Sequence, residues 1–356
     1  MRQSVLLVFV SAAAVFAGQA ICRAQEQQAV AIAIGINRVS AAHYSGWTGP
    51  LAACESDAND MSAIAKNKGF SVVTLLTEHA TKGAVLEQLT SVAEKMPENG
   101  ILVLSYSGHG GQLDDLNGDE DDEKDETWCL YDGQLVDDEL AQLWTKFRKG
   151  VRIVVFSDSC HSGTMVKFKD VARLANADVG DEDSRFAETR EEGGEEIGNG
   201  LLKGFRNKSR AFLSALADDT KGQVGETTRA RNARNDVPSP FRSMPEDVRR
   251  ATYKSNQDFY DKALKDVPDE RVLRNNTVAT VLLISGCQDN QLSLDGDKNG
   301  LFTSTLKAVW RGGLFKGGYR KFYRSIESMM PPYQSPAFSV IGTPNPAFED
   351  QAPYTR

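Results

Sequence analysis

Tyr106-Ser107-Gly108-His109-Gly110-Gly111 and Asp158-Ser159-Cys160-His161-Ser162-Gly163 are the two stretches whose reading decides the fold. Each follows an apolar, largely β-branched run: Ile101-Leu102-Val103-Leu104 before the histidine, and Val151-Arg152-Ile153-Val154-Val155-Phe156 before the cysteine. Short apolar runs bounded by turn residues read as buried strands of a parallel sheet. Two strands therefore each end in a small-residue loop that carries one reactive side chain. The carboxyl ends of parallel strands are where open α/β sheets place their sites. A thiol and an imidazole there suggest a nucleophile with a general base.

The two motifs, in this order and about 50 residues apart, resemble the metacaspase branch of the caspase-like cysteine peptidases. The likeness extends more weakly from about Val30 to Val340, with a gap over a long middle segment. It implies an α/β fold of caspase-like type: a mostly parallel central sheet with helices on both faces, plus a long charged insert. It also implies a Cys160–His109 dyad and an oxyanion site made by the backbone amides of Gly110 and Cys160. Asp57 would join the substrate pocket, with Cys54 and Ser107 lining it. True caspases lack the Asp-Ser-Cys-His-Ser-Gly form found here.

Composition limits the alternatives. With 356 residues, 40% hydrophobic and 25% charged, the chain fits a soluble globular protein of one large or two small domains. A net charge of −8 argues against a nucleic-acid surface. Residues 1–24 read as a secretory signal: Arg2 gives the positive start, and Val5 to Ala17 an apolar core too short to span a membrane. Ala20 and Ala24 are candidate cleavage positions. The expected protein is exported, periplasmic or secreted, with no membrane segment once the signal is removed. Cys54, Cys129, Cys160 and Cys287 would then remain, too few for a disulfide framework and without zinc spacing.

Along the chain, Ala29–Ile36 reads as a first, central strand and Asp57–Lys68 as a helix. Phe70–Leu76 is a second strand, and Thr81–Met96 an amphipathic helix with Val85, Leu89, Val92 and Met96 on one stripe. Such alternation implies a doubly wound parallel sheet. Residues 25–164 and 273–345 would form the catalytic domain, with 346–356 as a tail. Residues 165–272 are crowded with charge, as in Glu191-Glu192-Gly193-Gly194-Glu195-Glu196, and read as a loosely packed, partly flexible insert. Its exposed basic residues, including Lys203, Arg206, Arg229, Arg231 and Arg234, offer sites for self-cleavage. Thr277–Ser285 returns as a buried strand.

The acidic run Asp114–Glu126 reads either as a solvated charge run or as part of a cation site, since hard cations take oxygen ligands. The chemistry itself requires no cofactor. By resemblance, calcium is a candidate activator, with Asp125 and the pair Asp137-Asp138 as ligands. Asp137 reads equally as the N-cap of a helix over 138–147. Where the family places a further calcium aspartate, seven residues past the cysteine, this chain has Lys167. Asp295-Gly-Asp297-Lys-Asn299-Gly300 mimics half of a calcium loop, but Leu306 stands where the bidentate Glu is needed.

Cys160 is the candidate nucleophile and His109 the candidate base; His161 competes only by adjacency. Asp158 lies two residues before the nucleophile, on the same side if the strand continues. Its carboxylate would complement Arg or Lys at the cleaved position, and so would Asp57. Each also has a structural reading, helix capping for Asp57 and a loop-fixing hydrogen bond for Asp158. Two functions are weighed: an endopeptidase acting on peptides and proteins after Arg or Lys, and a non-catalytic binding or scaffold protein of the same fold.

Overall fold

The computed structural model describes residues 28–115, 124–160, 235, 238–288 and 291–356. The export signal, the acidic residues 116–123 and the five basic residues named above as cleavage sites lie outside the described residues.

Six strands form the main sheet: β1 (Ala29–Gly35), β2 (Ser71–Leu76), β3 (Ile101–Ser107), β7 (Arg152–Asp158), β8 (Thr280–Ser285) and β9 (Ala337–Gly342). Their order is β2-β1-β3-β7-β8-β9. All neighbours are parallel except β8 and β9. The strand read as central, β1, is one in from the edge, and β3 and β7 take the middle. This explains why Ile101–Ser107 is buried along its whole length. A strand covered on both faces needs no polar alternation.

Side chains alternate across the sheet and feed two cores. Ile32, Leu102, Leu104, Ile153 and Val155 pack on one face with Val85 and Leu89 of α2 (Lys82–Lys95) and Leu140 and Leu143 of α3 (Asp137–Trp144). Ala31, Val103, Val154, Phe156 and Leu282 pack on the other. There they meet Ala58 and Met61 of α1 (Cys54–Asn67), Leu306 of α7 (Leu301–Trp310) and Phe322 of α8 (Tyr319–Glu327). The Thr81 hydroxyl caps α2 by accepting from Ala84 N at 3.1 Å. Helix α3 begins one residue earlier than expected, and Val136 rather than Asp137 takes the cap position. The Glu139 carboxylate reaches back to Val136 N instead.

A second, antiparallel sheet was not legible in the sequence: β4 (Gly110–Asp114), β5 (Lys124–Leu130) and β6 (Gly133–Val136). Its short strands begin directly after His109 and lie around the acidic run, so charge hides their alternation. The loosely packed insert expected over 165–272 does not extend through its described carboxyl part. Residues 246–276 form α4 (Glu246–Ser255), α5 (Gln257–Leu264) and α6 (Glu270–Asn276). Val248, Tyr260, Leu264 and Leu273 are buried. Among the described residues, no helix is long and apolar enough to cross a membrane.

Trp128 joins the two sheets. Its ring stacks on Tyr106 at 4.5 Å and its indole N–H donates to Ser157 Oγ at 3.0 Å. Replacing a buried Trp by Ala costs about 3–5 kcal/mol. Trp128→Ala should lose stability on that scale in urea unfolding; a loss below about 1 kcal/mol would show that the sheets do not depend on this contact.

Candidate functional site

The strand order turns back at β1: the chain goes to β2 on one side and to β3 on the other. Such a switch point opens a crevice at the carboxyl ends of the strands. Ser107 and Asp158 are register partners there, at the ends of β3 and β7. Asp57 enters from the first turn of α1. Its carboxylate does not cap that helix; it accepts from Ser107 Oγ at 2.8 Å and Asn299 Nδ2 at 2.9 Å. Asp158 accepts from Ser293 Oγ at 2.6 Å and Thr303 Oγ1 at 2.8 Å. Cys54 is fully buried, with its thiol 4.0 Å from Asp295 Oδ1.

A guanidinium fills the space between these carboxylates. Arg242 is 0% exposed. Its Nη2 lies 2.6 Å from Asp57 and 3.1 Å from Asp295, and its Nη1 lies 2.8 Å from Asp158. Burial pushes the Asp57 carboxyl up, to about 6, with Asp158 adding to the rise and Arg242 opposing it. Taking one partner from a buried ion cluster costs about 3–5 kcal/mol, because the remaining charges are left uncompensated. The pocket therefore requires a cation. Sequence reasoning found Asp57 and Asp158 but missed Asp295, which it met only as part of a failed calcium loop, and Arg242, one basic residue among many.

The backbone around Arg242 is extended. Arg242 N donates to Ser293 O at 3.0 Å, and Asp295 N to Pro240 O at 2.9 Å. Phe241 bridges Leu294 in antiparallel sense, and Ser243 bridges Gly110 in parallel sense. The Arg242 carbonyl accepts two amides, Gly110 N at 2.9 Å and Cys160 N at 3.1 Å. These are the two donors expected to form an oxyanion site. Gly110 has no room for a side chain, since a Cβ there would stand 1.7 Å from the Cys160 carbonyl oxygen.

Cys160 donates its own N–H to this carbonyl and His109 directly precedes Gly110, the other donor; both side chains are buried. Strand β7 ends at Asp158, so Cys160 sits two residues beyond the ladder. Ser293 holds its sulfur, with Ser293 N 2.6 Å from Sγ. The His109 backbone is fixed by Cys129 N and the Tyr106 hydroxyl, which donate to its carbonyl at 2.9 and 2.7 Å. Its ring packs on Trp47 at 4.7 Å, and Nε2 lies 2.9 Å from the Gly49 carbonyl. A carbonyl only accepts, so Nε2 carries the proton and a neutral ring presents Nδ1 as a base. Burial lowers the His109 pKa to about 4, with the Gly49 carbonyl and the Ser243 backbone opposing.

The other candidates stand apart. His43 bonds Tyr260 at 2.6 Å, and Cys287 is buried with its thiol toward the Ser159 carbonyl. Burial raises the Asp137 carboxyl strongly, and Glu126, Asp125 and Asp138 add to the rise. Among the described residues, no group of three or more His, Cys, Asp or Glu side chains is placed to hold a metal ion.

Known proteins give the context. The sequence model of the Caspase domain matches residues 28–349. Metacaspase-1A of Aspergillus niger is 27% identical over 316 residues, covering 84% of this chain and 65% of its own length. Metacaspase-1 of Botryotinia fuckeliana is 31% identical over 220 residues, covering 58% and 49%. The chain thus spans from about half to about two thirds of these curated relatives. The crystal structure of protein GSU0716 from Geobacter sulfurreducens superposes with a TM-score of 0.68 at 41% identity, covering 92% of this chain and 98% of that one. With a parallel-sheet core, a cysteine and a histidine at adjacent strand ends and a family match over nearly its whole described length, the chain belongs to the caspase-domain family, in its metacaspase-type branch.

Proposed function

We propose that this protein is a cysteine endopeptidase that cleaves after Arg or Lys. The observation that carries the reading is Arg242 in its pocket of three carboxylates, with its carbonyl on the Gly110 and Cys160 amides. Cys160 attacks the carbonyl carbon of the residue held in the pocket. The charge that develops on oxygen is stabilised by the two amides, a type of contact worth about 10²–10³ in rate per donor. His109 Nδ1 takes the thiol proton and returns it to the leaving amine. Water then hydrolyses the thioester, and the sulfur regains its proton.

Specificity follows from burial. A guanidinium or ammonium satisfies Asp57, Asp158 and Asp295; an Asp side chain would add a fourth negative charge to a dry site. In a peptide-library assay, wild type should cut after Arg or Lys and not after Asp, with discrimination of about 10⁴. Cys160→Ala and His109→Ala should each abolish hydrolysis with unchanged circular dichroism. Near-normal rates in either variant would remove the assigned dyad, and a preference for acidic residues would remove the pocket. Inactivity of wild type on every basic peptide would favour the scaffold reading.

The buried imidazole sets a pH dependence. A histidine whose pKa falls from 6.5 to about 4 on folding adds stability that is complete above pH 6.5 and lost as the pH falls toward 4. The span corresponds to about 3 kcal/mol. The raised Asp57 carboxyl acts with the opposite sign, becoming less unfavourable as the pH falls through about 6. Comparing Cys160→Ala with Cys160→Ala/His109→Gln isolates the histidine. Urea unfolding should show a steeper fall from pH 6.5 to 4 in the first, and parallel curves would refute the buried neutral ring.

Calcium remains a proposed activator on the family resemblance alone, since Asp125, Asp137 and Asp138 are not grouped to hold a metal ion. Millimolar calcium should then increase peptide hydrolysis and a chelator should reverse the gain; activity indifferent to both would end the proposal.

A further inference from the structure

We infer that the loop 311–318 and the helix α8 that follows it form a docking surface for an anionic phospholipid bilayer, with Leu314 as the inserted side chain and a ring of lysines and arginines as the charged contact. The contact is peripheral, since no described helix can cross a membrane.

Leu314 is 72% exposed, more than any other large apolar residue among those described. It sits at the tip of a tight turn, where Leu314 N donates to Arg311 O at 3.2 Å and Phe315 N to Trp310 O at 3.3 Å. Gly312 and Gly313 take the left-handed φ values of 63° and 97° that the turn needs. The base of the turn is fixed, because the Phe315 and Trp310 rings both pack on Phe322 of α8, at 5.0 and 6.3 Å. A single exposed leucine is ordinary on a protein surface; its surroundings here are not.

From 311 to 326 the chain carries Arg311, Lys316, Arg320, Lys321 and Arg324 and no acidic residue, in a protein whose net charge is −8. All five are exposed. Tyr319, Phe322 and Ile326 form the buried side of α8, so its cations face outward. Lys321 lies back over the loop: a Cβ on Gly317 would stand 2.7 Å from its Cδ. The end of α1 adds Lys66 and Lys68, both exposed, and the Lys68 ammonium lies over the Trp310 ring at 5.0 Å. The acidic residues nearby are Glu349, which accepts from Arg320 Nε at 2.6 Å, Asp350, whose backbone abuts Gly318, and Glu327 at the far end of α8.

Cations at helix carboxyl ends also offset the helix dipole, which accounts for Lys66, Arg311 and Arg324. It does not account for Lys316 in the loop, nor for Arg320 and Lys321 in the first turn of α8, where the dipole disfavours positive charge. A nucleic acid or an acidic protein segment would use the cations but has no need of the leucine. A bilayer uses both, because anionic headgroups attract the cations while the acyl boundary takes the apolar side chain. The surface also leaves the site open. Helices α1 and α7 both start at the pocket, one with Asp57 and the other with Thr303 N donating to Asp158 Oδ2 at 3.2 Å, and both end at this patch. The ten residues of α7 span about 15 Å, so the docked protein keeps its pocket a helix length from the headgroups.

Vesicle flotation tests this in Cys160→Ala protein that begins after Ala24, because the apolar run 5–17 would bind lipid by itself and the described fold starts at residue 28. Vesicles of equal parts phosphatidylglycerol and phosphatidylcholine should carry the protein at low salt, and phosphatidylcholine alone should not. Sodium chloride at about 0.5 M should release it, since screening then acts within a few ångströms. Leu314→Ser should weaken binding about tenfold. Lys316→Gln/Lys321→Gln should weaken it about thirtyfold. Both variants should keep the urea midpoint of the unsubstituted protein, since the side chains changed are exposed. Binding that ignores headgroup charge, or that survives both sets of substitutions, would overturn the inference. So would weakening by the lysine pair with none by Leu314→Ser, the pattern of a soluble polyanion as the true partner.

Discussion

A single buried guanidinium among three carboxylates sets the terms for the rest of this structure. Asp57, Asp158 and Asp295 come from a helix start, a strand end and a late loop, and none would be stable in that place alone. Desolvated carboxylates on an apolar wall of Ile34, Met61, Phe156 and Phe302 must be protonated, hydrogen-bonded or paired. Ser107, Ser293, Asn299 and Thr303 supply hydrogen bonds. The guanidinium supplies the charge. Three separate parts of the chain are thereby tied to one cationic side chain.

The chemistry follows from the same geometry because side chain and carbonyl belong to one residue. Seating Arg242 in the pocket brings its carbonyl to the Gly110 and Cys160 amides, and Gly110 lies beside Cys160 because it has no side chain. The histidine is aligned from behind. Trp128 stacks on Tyr106, Tyr106 donates to the His109 carbonyl, and the Gly49 carbonyl accepts from Nε2–H. The buried ring, neutral at ordinary pH, leaves Nδ1 as its basic atom.

Much of this was legible in the sequence, for reasons that separate readable from unreadable features. The strands before His109 and Cys160 could be found because full burial erases polar residues from them. Asp158 followed from strand period and Asp57 from family spacing. The small sheet β4-β5-β6 was hidden because its alternation is broken by the acidic run. Asp295 and Arg242 were hidden for a different reason. Each is a charged residue in a charged neighbourhood, and composition counts both as solvated. Only their mutual contact makes them buried, and a contact across 53 positions leaves no local signature.

The pairing of β7 with β8 has a consequence for how such chains can change. Arg152–Ser157 and Thr280–Ser285 zip together residue by residue, although a long stretch of sequence separates them. Closing a flexible loop grows costlier only with the logarithm of its length, about 0.6 kcal/mol for each doubling. The sequence distance between β7 and β8 therefore adds little to the cost of pairing them. What must be kept is the point of return, with Asn235 on Thr48 and Ser239 on Pro50. Those contacts fix where the returning chain meets the loop at Thr48 and Pro50, whatever the sequence distance.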